Sequence, residues 1–152
     1  MKQLTRLAAL LATALTLAVG AAPALAHDDA TLDAMKSANG GQLRMAGIYH
    51  FELVLAKDAK TPKENPVLVY VTDHAGKKIA TAGASGTATM LAAKQKISIV
   101  LKPDGDNRLK GVATYASAPD MKVVLAVTMA GQPTEQARFT PLAGAGDEHM
   151  HH

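Results

Sequence analysis

The chain has 152 residues, no Cys, no Trp and a formal net charge of +3. Its length allows one domain with tails, and a hydrophobic fraction of 48% excludes a wholly disordered chain. Scattered charges and an aromatic content of only 3% exclude the basic footprint and the stacking residues that nucleic-acid binding uses. Because no disulfide can form, stability must come from burial.

The first 26 residues have the pattern of a secretory signal peptide. Lys2 and Arg6 precede an apolar run at residues 7–19, and Ala24-Leu25-Ala26 offers small residues to a signal peptidase. The alternative, a retained membrane anchor, needs roughly 20 apolar residues. We therefore expect cleavage before His27 and export, most simply into a bacterial periplasm, with no membrane attachment afterwards. Loss of the two basic residues would reduce the formal charge from +3 to +1.

Residues 27–41 are polar and precede a change of pattern. Residues 31–36 are able to form one helical turn, but nothing in the sequence fixes it. We predict a flexible N-terminal arm over this segment.

Apolar residues then alternate with other residues along four segments, which is typical of strands. The alternating sets are Phe51, Leu53 and Leu55; Val67, Val69 and Val71; Ile97, Ile99 and Leu101; and Met121, Val123, Leu125, Val127 and Met129. Weaker runs lie at residues 86–91, 108–115 and 135–140.

Turn-forming residues separate these segments, for example at residues 73–76 and 103–107. About seven strands with short turns predict an all-β domain over residues 42–142, an antiparallel sandwich of immunoglobulin-like type. A small closed barrel is the alternative. A Gly/Ala linker and a flexible, His- and Met-rich tail at residues 143–152 complete the chain.

The six His residues are the most informative chemical feature of the sequence. His27, as the first residue after cleavage, would chelate one metal through its free amine and ring Nδ1. A third nitrogen from another His would complete a site that suits Cu(II) best among divalent ions. The alternative is that His27 simply follows the signal.

A second group of possible metal ligands stands at the C-terminal end, where short His-rich tracts commonly bind metals. This group consists of His149, Met150, His151 and His152. Its imidazoles would capture Cu(II), Ni(II) or Zn(II), and its thioether adds affinity for Cu(I). A solvated tail without function is the alternative.

Two further His residues lie within the predicted domain. His50 stands in a strand, on the face opposite Phe51, and His74 stands in a turn. Each is a candidate partner for His27, although a lone His of this kind is more often a surface residue. Met35 and Met45 are candidate soft ligands, whereas the parity of Met121 and Met129 predicts core packing.

Enzyme signatures are missing from the sequence. It contains no Cys nucleophile, no Gly-x-Ser-x-Gly, no His-Glu-x-x-His and no phosphate-binding Gly-rich loop before a helix. We expect a protein without catalytic residues.

Residues 41–54 and 69–77 resemble small exported proteins found beside bacterial heavy-metal efflux systems. A strand is followed by Val-Thr-Asp-x-x-Gly-Lys and then by Ala-x-Gly-x-Ala-Thr. This order also resembles YtkA-like and FixH-like sandwich domains. The resemblance covers residues 41–142 and implies copper handling or oxidase assembly. FixH-like proteins carry a membrane helix that has no counterpart here. CopC-like copper carriers share the signal, the sandwich and a mature N-terminal His, but their second His matches no single position.

Two functions follow as hypotheses. The first is a periplasmic accessory protein that binds copper or another divalent transition metal as carrier, buffer or part of an efflux system. The second is a non-catalytic interaction module whose sheet edge pairs with an envelope or efflux-adaptor protein, the His residues being incidental.

The first prediction concerns processing. Because Ala24 and Ala26 direct cleavage, the exported protein should begin at His27, which intact-mass spectrometry would measure. A start even one residue away would remove the amine-plus-imidazole chelate.

Overall fold

The computed structural model describes residues 28–144. They form one short helix and eight strands: α1 (Asp29–Ala34), β1 (Gln42–Ala46), β2 (Tyr49–Val54), β3 (Lys63–Thr72), β4 (Ser85–Ala92), β5 (Gln95–Pro103), β6 (Arg108–Tyr115), β7 (Lys122–Thr128) and β8 (Thr134–Phe139). No helix within residues 28–144 has the length and hydropathy of a membrane span. The predicted signal peptide, and the predicted tail from residue 145 onward, lie outside the described residues.

All neighbouring strands pair antiparallel, in the order β1-β2-β3-β6-β5-β4-β7-β8. The first three strands form a meander, after which the chain crosses over and β6 returns to pair with β3. The two outermost strands, β1 and β8, contact each other. The sheet is therefore nearly closed, like a barrel.

The two halves of the sheet join where β5 meets β6. These strands pair only at Lys102 with Lys110 and at Pro103 with Leu109. Beyond this pair, Gly111 lies so close to β5 that an added Cβ would stand 2.6 Å from the Val100 carbonyl oxygen. A residue without a side chain is needed for this close approach.

Side chains alternate between the interior and the outside of the sheet, as the period-two patterns predict. The interior holds one continuous apolar cluster. Its largest fully buried members on the strands are Phe51, Leu53, Val67, Val69, Val71, Met90, Leu101, Leu109, Leu125 and Phe139. Met121 and Met129 are also buried, which confirms their prediction as core residues.

The predicted all-β, antiparallel class is confirmed, with eight strands where the sequence pattern indicated about seven. The additional strand arises because Gly47 and Ile48 form a tight turn that divides residues 42–54 into β1 and β2. Gly47 has a φ of +59°, which permits this turn. The nearly closed sheet corresponds to the barrel alternative, and the division into two immunoglobulin-like layers stays a prediction.

Helix α1 packs on β1. Asp28 caps it by accepting a hydrogen bond from the Thr31 backbone N–H at 2.8 Å, and Leu32 is 1% exposed. The Arg44 guanidinium of β1 donates to the Asp33 carboxylate at 2.7 Å. The predicted flexibility of residues 27–41 stays a prediction. The contacts of Asp28, Leu32 and Asp33 are the places at which order in this segment would be measured.

The connection between β4 and β5 is a two-residue turn whose residues do not favour the backbone conformation that the turn requires. Ala92 pairs with Gln95, and Ala93 and Lys94 both have positive φ, at +49° and +61°. A turn of this kind favours Asn-Gly because residues with a Cβ are strained there. No turn signal marks these positions in the sequence.

We expect Lys94→Gly to raise the free energy of unfolding by about 1 kcal/mol, because it removes left-handed strain. Lys96→Gly is the matched control. Because Lys96 lies within β5, this variant should be less stable than the parent. Urea denaturation followed by circular dichroism would measure both. A Lys94→Gly protein less stable than the parent would contradict this account of the turn.

The ion pair between Asp33 and Arg44 makes part of the stability dependent on pH. The hydrogen bond from Arg44 lowers the pKa of the Asp33 carboxyl below its usual range. This pair therefore stabilises the fold above the unfolded carboxyl pKa of about 3.9, and its contribution is lost as pH falls through the lower, folded pKa. Since the Asp33 side chain is 51% exposed, Asp33→Asn should cost about 1 kcal/mol or less at pH 7.

Urea midpoints of Asp33→Asn and the parent should differ at pH 7 and converge as the pH approaches 2, with Asp58→Asn as the exposed control. An equal difference at both pH values would show that the ion pair is not its source.

Candidate functional site

The outer face of β2 carries polar side chains that are nevertheless buried. His50 and Glu52 are each 4% exposed, although both point away from the apolar interior. In the paired strands, Met45 of β1 and Thr72 of β3 stand directly opposite His50 on either side. This outer face is covered because two loops fold over it.

The first loop covers Glu52. Its carboxylate accepts hydrogen bonds from the backbone N–H groups of Asn39 at 2.8 Å and Gly41 at 3.0 Å, and from the Asn39 side-chain amide at 2.9 Å. Buried carboxylates require partners of this kind. The Glu52 carboxylate thus holds residues 39–41 against the sheet.

The second loop places His74 over His50. The Asp73 carboxylate accepts hydrogen bonds from the backbone N–H groups of Ala75 and Lys77, both at 2.9 Å, which shapes the turn after β3. Gly76 closes the turn with a φ of +80°. The His50 and His74 rings then stack with their centroids 4.8 Å apart and their planes 21° from parallel.

Asn107 fixes the end of β3 from which this turn starts. Its side-chain amide donates to the Val71 carbonyl at 3.1 Å, and its own carbonyl accepts from the Val71 N–H at 2.8 Å. Asn107 is 8% exposed and sequence reasoning assigned it only to a run of turn formers. The position of His74 therefore depends on a residue far from it in sequence.

Two stacked imidazoles, with a Met on the neighbouring strand, are donor types suited to borderline and soft metals. The ring nitrogens of stacked imidazoles point along nearly parallel planes, so the two rings converge on one ion only if one of them turns. His74 is the exposed member of the pair and therefore the one whose ring we expect to turn. Within residues 28–144 no group of three or more His, Asp or Glu side chains is arranged to hold a metal.

Of the sequence-predicted candidates, the structure stacks His74 on His50 and pairs Met45 with His50 across β1 and β2. Met35 is exposed at the end of α1. The remaining candidates lie outside the described residues: His27, His149, Met150, His151 and His152.

No protein-family model matches this chain, and no curated protein matches it. The resemblance to exported heavy-metal-resistance proteins therefore stays a prediction.

Proposed function

We propose that this protein is a periplasmic metal-binding accessory protein that carries or buffers copper, or another divalent transition metal, beside an efflux system. The observation that supports the proposal best is the stacked pair of His50 and His74 with Met45 opposite His50. The proposal includes relationship to YtkA-like, FixH-like and CopC-like sandwich domains.

Copper is the preferred cargo because of the ligand types. Neutral imidazole binds Cu(II) more tightly than it binds Zn(II), and a thioether such as Met45 favours Cu(I). One His is buried and the other is exposed, so the exposed ring would meet the metal first and the buried one would hold it.

Ligands outside the described residues would complete the coordination. In this proposal the His27 amine and imidazole supply a chelate, and residues 149–152 capture metal for transfer to the tighter site. A partner that adds a strand to the sheet is the less supported alternative, because β1 and β8 contact each other and so partly cover both edges.

We expect the processed protein to bind Cu(II) more tightly than Zn(II), measured by calorimetry and paramagnetic resonance. His74→Asn should weaken Cu(II) binding about tenfold, because an exposed turn tolerates Asn while one imidazole is lost. Affinity should also fall at acidic pH, because protonated imidazole binds no metal.

Matched variants separate the ligands. Met45→Leu should weaken Cu(I) binding while sparing Cu(II), and Met35→Leu should change neither. Deleting residues 149–152 should lower capacity and spare the tight site, whereas one residue added before His27 should weaken that site. If the processed protein binds copper no better than a variant lacking His27, His74 and residues 149–152, the metal function is wrong.

A further inference from the structure

A cavity of about 310 Å³ lies where α1, β1, β7 and β8 meet, away from the His pair. Its polar lining consists of the side chains of Asp29, Arg44, Lys122, Arg138 and Thr140. Three of these residues are cationic and one is anionic, and Asp33 outside the lining pairs with Arg44, so the whole group carries one net positive charge. The cavity is therefore suited to a negatively charged group.

Arg44 supplies the innermost cation. The residue is 7% exposed, and its Nη1 donates to Asp33 and to the Leu43 carbonyl, both at 2.7 Å. Its Nε is buried and finds no hydrogen-bond partner among the described residues. The nearest carboxylate oxygen, Oδ1 of Asp29, is 3.5 Å away, which is too far for a good hydrogen bond.

A buried N–H without a partner is costly, and a ligand oxygen would remove that cost. Asp29 is a weak occupant of this position because its side chain is 74% exposed. The Arg44 Nε–H is thus available to an oxyanion that displaces the Asp29 carboxylate.

Lys122 and Arg138 add two exposed cations at the mouth of the cavity. Neither makes an ion pair within residues 28–144. The outward positions of β4, β5, β7 and β8 hold no acidic residue that would neutralise them.

We propose that this cavity binds the carboxylate or phosphate group of a small anionic ligand. The oxyanion accepts a hydrogen bond from Arg44 Nε and ion-pairs with Lys122 and Arg138. This binding is independent of the proposed metal function, because none of its residues belongs to the His pair.

Titration of the full processed chain with inorganic phosphate, malonate and chloride at constant ionic strength would test the proposal by NMR. Phosphate or malonate should shift the Arg44 Nε–H and Thr140 amide signals saturably, and the tighter of the two identifies the oxyanion class. Chloride should produce no saturable shift.

Variants at exposed positions keep the test independent of folding. Lys122→Gln and Arg138→Gln should each weaken binding about tenfold, whereas Lys102→Gln, on the same face but outside the cavity, should change it less than twofold. Asp29→Asn should strengthen binding about threefold relative to Asp58→Asn. Linear shifts with every anion, or equal losses in Lys102→Gln and Arg138→Gln, would overturn the proposal.

Discussion

Closure of the sheet between β1 and β8 is the constraint on which the rest of the structure depends. The neighbouring strands in the order from β1 to β8 are joined by backbone hydrogen bonds. Between β1 and the residue after β8, the Thr140 N–H instead donates to the Gln42 side-chain oxygen at 2.8 Å. Helix α1 lies beside this junction, inserting Leu32 and pairing Asp33 with Arg44. Without closure, the interior faces of the first and last strands would be exposed to water.

The nearly closed sheet carries the polar residues His50 and Glu52 on its outer surface, with His74 stacked on His50. The interior holds an apolar cluster, and the polar residues of the His pair lie where loops cover the outer surface. Residues 39–41 cover Glu52, and the turn after β3 covers His50 with His74. Where α1, β1, β7 and β8 meet, Arg44 lines a cavity that two exposed cations complete. β1 thus contributes a residue to each of two separate candidate sites, Met45 to one and Arg44 to the other.

Period-two alternation predicted which residues of β2, β3 and β7 face inward, because a strand must present alternate side chains to the core. The same reasoning missed the hairpin between β1 and β2, since its turn residues, Gly47 and Ile48, are not a strong turn signal. It also missed the turn at Ala93 and Lys94, where the strand pairing imposes a backbone conformation that neither residue prefers. Tertiary pairing overrode local preference at Ala93 and Lys94.

The sequence by itself determined the all-β class, the inward-facing residues and the types of side chain available for metal binding, because these follow from local periodicity and chemistry. It identified His50, His74 and Met45 as separate candidates. Only the tertiary structure decided that His74 stacks on His50 and that Met45 stands opposite His50 in the neighbouring strand. The Arg44 cavity was likewise invisible in the sequence, because its residues come from strands at opposite ends of the chain that become neighbours only when the sheet closes.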